Sequence, residues 1–93
     1  MEHARRRIPN RLRQKRKFYG YRLKEVAHYL GHTGTGRLIE WEQGRAMPSL
    51  INLLKLSILY HTIPFELYYD LYTELKQDLL PVIAQLEEQH KNP

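Results

Sequence analysis

Apolar side chains recur along this chain at helical rather than strand spacings. Over residues 22–30 they fall at i, i+3, i+4 and i+7, which places them on one face of a helix, and Gly31 follows as a C-terminal stop. A short helix is predicted over about 35–43, with Gly44 closing it. Residues 50–60 are apolar almost all round, which predicts a helix at the centre of the core.

Prolines and one serine mark further helix starts. Pro9 suits the first position of an N-terminal helix, where its missing N–H is not needed. Ser49 is predicted to cap the helix over 50–60. Pro64 opens a helical pattern that continues to residue 88, with a kink or a fresh helix at Pro81. Five helices and no convincing strand predict an all-α fold.

An apolar stripe on the last helix has the spacing of a coiled coil. Six residues follow one another at intervals of 4, 3, 4, 3 and 4, which is an a/d seam. They are Tyr68, Tyr72, Leu75, Leu79, Val82 and Leu86. A homodimer interface is one interpretation of this stripe, and packing back on the chain's own core is the other.

The basic residues are concentrated in the N-terminal half. The 93 residues include fifteen Lys and Arg against ten Asp and Glu, a net charge of +5. Twelve of the bases but only four of the acids lie in residues 1–48, so this half carries +8. Such a surplus favours a polyanionic partner, above all a nucleic-acid backbone, although a solvated charge run is the alternative. Residues 1–8 are predicted to form an unstructured basic arm.

Several classes of function are disfavoured by what the sequence lacks. It has no cysteine, no phosphate-binding loop, no nucleophile elbow and no zinc-protease motif. His28 and His32 lie four residues apart, but no third ligand is evident. We therefore expect no catalytic residue, no metal and no cofactor. No apolar run approaches the length of a membrane span, so a cytoplasmic protein with no membrane partner is expected.

Residues 22–48 combine a helix of about nine residues, a glycine-containing turn and a second short helix, as a helix-turn-helix requires. The segments EVAHYLG (25–31), RLIEWEQG (37–44) and PSLINLLKL (48–56) resemble, in order and spacing, the lambda repressor/Cro-type (XRE) helix-turn-helix family. The resemblance covers roughly residues 10–70. It implies a compact five-helix domain that binds duplex DNA, usually as a dimer.

The resemblance also implies roles for individual side chains. The positions that match the family's groove-facing residues are Thr35, Gly36, Arg37 and Glu40. Among them, the fork of Arg37 suits guanine O6 and N7. The positions expected to contact phosphates are Arg22, Thr33, Gln43 and Arg45. Arg5, Arg6 and Arg7 resemble the arms of relatives that reach around the duplex or into its minor groove.

The chain departs from the family pattern within this motif. Arg22-Leu23 stands where the family often has Thr-Gln, and Ile39 replaces a serine that often faces DNA. Gly34 and Gly36 flank the start of the recognition helix and supply no side chain for reading bases. These departures favour low sequence specificity.

We therefore expect three parts, which are a basic arm (1–8), a helix-turn-helix DNA-binding domain (9–70) and a C-terminal helical extension (71–93). The expected function is a DNA-binding transcriptional regulator, specifically a repressor that binds duplex DNA as a homodimer. The alternative is a protein-interaction module or antitoxin that keeps the fold and binds a partner protein through its C-terminal helices.

Overall fold

Six α-helices form the part of the chain that the structure describes. The computed structural model describes residues 6–91, and no strand occurs within that range. In chain order the helices are α1 (Leu12–Phe18), α2 (Leu23–Tyr29), α3 (Gly36–Glu42), α4 (Leu50–Leu59), α5 (Pro64–Leu67) and α6 (Tyr69–Gln89). The predicted all-α fold is confirmed, with the last predicted helix divided into α5 and α6.

The first helix begins later than Pro9, so that prediction is wrong. The side-chain amide of Asn10 donates hydrogen bonds to the carbonyls of Ile8 and Trp41, both at 3.0 Å. Its side-chain oxygen accepts from the N–H of Leu12, also at 3.0 Å. Asn10 therefore satisfies one of the free N–H groups at the start of α1, a role that polar side chains commonly take at helix N-termini.

The division between α5 and α6 falls at Tyr68, whose backbone (φ −121°, ψ 30°) leaves the helical region. Beyond it α6 continues through Pro81 for 21 residues, so a fresh helix at that proline is not formed. Pro81 has no N–H to donate to the carbonyl of Gln77. Because Pro81 and Gln77 are both exposed, water can satisfy that carbonyl.

The hydrophobic core lies between residues 12 and 68. It is built from ten buried apolar side chains: Leu12, Val26, Ala27, Leu30, Leu38, Trp41, Leu56, Tyr60, Leu67 and Tyr68. Every helix from α1 to α5 contributes to it, whereas α6 contributes no buried residue. The core therefore supports the helix-turn-helix segment, and most of α6 lies outside it.

Helix α4 is not surrounded by core, contrary to the sequence expectation. Its N-cap is as predicted, because Ser49 Oγ accepts from the N–H of Asn52 at 3.2 Å. Leu56 is buried on the inner side. Four large apolar side chains on the opposite side, which we call the α4 apolar face, are 43–69% exposed: Leu50, Ile51, Leu54 and Ile58.

A buried ion pair joins α1 to α3. Arg16 Nε and Nη2 donate to the two carboxylate oxygens of Glu42 at 2.7 and 3.1 Å, and the side chains are only 10% and 8% exposed. Arg16 Nη1 also donates to the carbonyl of Tyr21 at 2.9 Å. The hydrogen bond to Glu42 raises the pKa of Arg16. One guanidinium thus connects α1, the α1–α2 turn and the end of α3.

Replacing Arg16 should therefore cost far more stability than replacing its neighbour Lys15. Arg16→Met leaves the Glu42 carboxylate buried without a partner, and we expect a loss of about 3–5 kcal/mol. Lys15→Met breaks the more exposed pair with Glu66 (3.1 Å) and should cost less than about 1 kcal/mol. Urea unfolding monitored by the fluorescence of Trp41 measures both, and equal losses would contradict the assigned difference.

Tyr68 belongs to the core of its own domain and not to a dimer seam, so its assignment to the apolar stripe is wrong. Its side chain is 7% exposed and packs within the core. Burial raises the pKa of Tyr68 to about 12. Its hydroxyl is buried without a hydrogen-bond partner among the described residues. An unpaired buried hydroxyl lowers stability.

Tyr68→Phe should consequently leave the free energy of unfolding unchanged or raise it by about 1 kcal/mol, since the variant keeps the ring and removes the unpaired hydroxyl. Tyr29→Phe is the matched control, because the Tyr29 hydroxyl donates to the carbonyl of Lys55 at 3.2 Å. That control should lose about 0.5–1 kcal/mol. A clear loss in the Tyr68 variant on urea unfolding would show that its hydroxyl is paired.

Candidate nucleic-acid interface

The α2–turn–α3 segment forms a helix-turn-helix in which backbone hydrogen bonds cap the C-terminal end of α2. After α2 the N–H of His32 donates to the carbonyl of Ala27 at 2.9 Å, and that of Gly31 to His28 at 2.9 Å. Gly31 adopts φ +79°, which glycine reaches without strain. Ala27 is buried, and its small side chain allows α3 to pass close by. The chain therefore turns sharply from α2 into the approach to α3.

Helix α3 has one buried and one exposed side. Leu38 and Trp41 are both buried in the core and hold the inner side of the helix. The ring of His32 packs edge-on against Trp41, with centroids 5.7 Å apart. Ile39 is half-buried, so it is only partly available to a groove. Because the core holds the inner side of α3, the opposite side of this helix is exposed in a fixed orientation.

The residues predicted to read bases lie together at this exposed side. Gly36, Arg37 and Glu40 are exposed on α3, and Thr35 is half-buried at its N-cap. A Cβ on Gly36 would meet no atom within 4 Å, so open space lies in front of it. Gly36 and Arg37 line an open depression of about 420 Å³ together with residues of the turn. The surface is therefore accessible and has few bulky groups.

The residues predicted to contact phosphates lie at the start of α2, in the turn before α3 and at the end of α3. Arg22 is exposed at the N-cap of α2, where its backbone N–H donates to Glu25 Oε1 at 2.8 Å. Thr33 is exposed in the turn, and Gln43 and Arg45 are exposed at the end of α3. A duplex lying along the exposed side of α3 would meet polar or basic side chains at both of its ends.

Gly44 joins the end of α3 to the N-terminal segment. Its φ is +76°, and a Cβ there would lie 2.4 Å from the carbonyl oxygen of Ile8. The N–H of Ile8 donates to the carbonyl of Gly44 at 2.8 Å. The next residue, Arg45, donates its N–H to Glu40 at 2.9 Å and completes the C-terminal cap. The fold therefore requires glycine at this position.

Residues 6–8 are consequently held on the domain, which differs from the expected unstructured arm. Arg7 Nη1 donates to the carbonyl of Gln43 at 3.0 Å, beside the predicted phosphate contacts. Arg6 pairs with Glu74 of α6 at 3.4 Å. Arg5 lies outside the described residues. Local sequence patterns do not indicate these contacts, because the pairing residues are more than 30 positions apart.

The basic residues of the N-terminal half fall into two groups. Arg11 and Lys15 pair with acidic residues of α5 and α6, at 3.2 Å to Asp70 and 3.1 Å to Glu66. The hydrogen bond to Asp70 raises the pKa of Arg11, and hydrogen bonds from Thr62 and Lys15 lower that of Glu66. Within residues 6–91, no ion pair engages the exposed bases of the helix-turn-helix, which are Arg22, Lys24, Arg37 and Arg45. Arg7, Arg13 and Lys17 are exposed without an ion pair in the same range, so the positive charge available to a polyanion lies on the helix-turn-helix and on the segment before it.

The comparison with protein families agrees with this geometry. The helix-turn-helix family model matches residues 12–67, and the chain belongs to this family, of the lambda repressor/Cro type. Comparisons with curated proteins and with solved structures found no match. The class that fold and site define is thus a DNA-binding helix-turn-helix regulator.

None of the helices between residues 6 and 91 combines the length and apolarity needed to cross a bilayer. Within the same range, no group of three His, Asp or Glu side chains is arranged to hold a metal ion. His32 follows the end of α2 and does not share a helix face with His28.

Gly44→Ala should destabilise the domain and displace the N-terminal segment. The left-handed backbone alone costs about 1–2 kcal/mol, and the contact with Ile8 adds to this loss. Gly34→Ala is the control, because nothing lies within 4 Å of its Cβ position and its φ is not positive. That variant should stay within about 0.5 kcal/mol of the parent in thermal unfolding. Similar losses of stability in the two variants would argue against the close contact between Ile8 and Gly44.

Proposed function

We propose that this chain is a transcriptional repressor that binds a two-fold-symmetric duplex site as a homodimer in the cytoplasm. The observation that carries the proposal is the placement of Gly36, Arg37 and Glu40 on the exposed side of a helix whose other side is fixed by Leu38 and Trp41. A helix held in this way can enter the major groove without rearrangement. Occupation of a promoter by the dimer would exclude the polymerase.

Base reading is assigned to the first turns of α3. Arg37 donates two hydrogen bonds to guanine O6 and N7, and Glu40 accepts from a cytosine amine or rejects other bases. Thr35 and Gly36 lie against the same base edges, where the lack of a side chain on Gly36 lets the helix approach closely. With few reading groups, specificity would depend heavily on Arg37.

Phosphate contacts are assigned to both ends of the motif. Arg22 and Thr33 would contact one strand before α3, and Gln43 and Arg45 the other strand after it. The contact of Arg7 with the carbonyl of Gln43 supports a further cation at this end. Neutralised phosphates release counterions, so affinity should fall steeply with salt concentration.

Dimerisation is assigned to the α6 stripe, which comprises Tyr72, Leu75, Leu79, Val82 and Leu86. These five side chains are 45–51% exposed in the single chain. Apolar side chains repeated at this spacing are typical of a helix that packs against another chain. We therefore assign DNA binding to residues 9–70 and association to the extension over 71–93.

The first test is selection of binding sites from a random duplex library, with the mass of the protein determined in the same buffer. We expect an enriched palindrome and a dimer. Binding that is sensitive to salt but enriches no sequence would replace the repressor by a non-specific DNA-binding protein. Absence of binding would favour the alternative, an antitoxin or interaction module that uses α6 to hold a partner protein.

Substitutions of the two arginines should separate specificity from affinity. Arg37→Ala should weaken binding to the selected site by about 1–3 kcal/mol and relax its sequence preference. Arg45→Ala should weaken binding to all sequences alike and reduce the salt slope by about one. Lys91→Ala, which removes the same charge beyond the end of α6, is the control and should bind normally. Unchanged affinity in both arginine variants would rule out the assigned interface.

A further inference from the structure

Two apolar surfaces have no cover within the described chain. One is the α4 apolar face. The other is the α6 stripe, which Leu80 and Ile83 widen on one side, both more than 40% exposed. The first turns of α6 are fixed to their own domain by ion pairs at Asp70 and Glu74. Every described residue from 75 onward is exposed, so this part of α6 extends past its own domain without packing on it.

A two-stranded coiled coil between two α6 helices would not cover this surface. In the heptad that places Leu79 at position a, Ile83 falls at e and Leu80 at b. Position b points away from the partner in a two-stranded coil, so Leu80 would stay in water. The α4 apolar face would stay in water as well. A partner surface wider than the seam of a two-stranded coiled coil would cover more of the apolar side chains of α6.

Charge also favours α4 over α6 as the partner of α6. Beyond the stripe's first turn α6 carries Asp78, Glu87 and Glu88 against Lys76, and Lys91 follows the end of the helix. Pairing two such helices would place acidic segments together. Helix α4 carries no acidic residue, and its one charged side chain, Lys55, is exposed. The acidic α6 would therefore be electrostatically complementary to the α4 apolar face, which Lys55 borders.

The two surfaces also match in length. At 1.5 Å per residue the ten residues of α4 extend about 15 Å, and the twelve residues 75–86 extend about 18 Å. We propose that α6 of one copy packs its stripe on the α4 apolar face of a second copy, and that the second copy does the same in return. This exchange closes a two-fold dimer and covers all four surfaces. The inference rests on the proposed dimer and names the surface that α6 contacts.

Cysteine cross-linking tests this arrangement, because the chain contains no cysteine of its own. Leu54→Cys and Leu79→Cys each replace an exposed side chain. Each variant is treated with a short bismaleimide alone, and the two are also treated as a co-expressed pair carrying different tags. We expect a covalent dimer only from the pair, joining one tag to the other. Efficient cross-linking of the Leu79→Cys variant alone would overturn the proposal in favour of contact between two α6 helices.

Charge reversal gives an independent measurement that does not depend on cysteine geometry. Lys55→Glu and Asp78→Lys should each weaken self-association several-fold in sedimentation, since each removes an attraction between α4 and α6. Pairing between two α6 helices predicts instead no effect of Lys55→Glu and stronger association for Asp78→Lys. That pattern, or a parent protein that stays monomeric at tens of micromolar, would overturn the proposal.

These measurements use no DNA, so their failure is distinguishable from failure of the DNA-binding assignment. Adding Arg37→Ala to the Leu54→Cys and Leu79→Cys variants should leave the cross-linking of the pair unchanged while removing the operator preference. Cross-linking confined to the Leu54 and Leu79 pair, in a protein that binds no duplex, would support this dimer and reject the repressor.

Discussion

The ion pair between Arg16 and Glu42 fixes the position of α3 in this domain. Two hydrogen bonds attach the end of that helix to α1, and a third attaches the same guanidinium to the carbonyl of Tyr21. The pair is buried, so water does not compete for it. Leu38 and Trp41 supply most of the apolar contact of α3, but the ion pair sets its position along the core. The exposed side of α3 can be presented to a duplex because its C-terminal end is anchored in this way.

The second constraint on α3 is the close backbone contact between Ile8 and Gly44. The carbonyl and N–H of Ile8 occupy the space that any larger residue at position 44 would need. Residues 6–8 and Asn10 thereby pack against the end of α3, and Asn10 also contacts the carbonyl of Trp41. The N-terminal segment, α1 and α3 therefore form one rigid group, to which α2 contributes through Ala27.

Sequence patterns were sufficient to predict those helices whose period, N-cap or C-terminal stop can be recognised from neighbouring residues. The fold and the family were predicted by the α2 period, the stop at Gly31, the Ser49 cap and the family resemblance over roughly residues 10–70. Contacts between distant residues were not predictable, because periodicity shows that a face is apolar but not what covers it. For that reason the sequence pattern places Tyr68 in a dimer seam and α4 at the centre of the core, and leaves the bases of the N-terminal half to a polyanionic partner or to solvent. The roles of Arg37 and its neighbours remain predictions, for which the structure supplies exposure and position.

The pairing of Arg11 and Lys15 with acids of α5 and α6 has a consequence for how the molecule meets DNA. With those bases paired, the exposed bases without an ion pair in the described N-terminal half lie on the helix-turn-helix and on the segment before it, whereas the extended part of α6 has an excess of acids. Such a separation gives the protein an electric dipole. In the field of a duplex such a dipole would experience a torque that turns the basic part of the molecule toward the phosphates before contact. A larger fraction of diffusional encounters would then begin in a productive orientation.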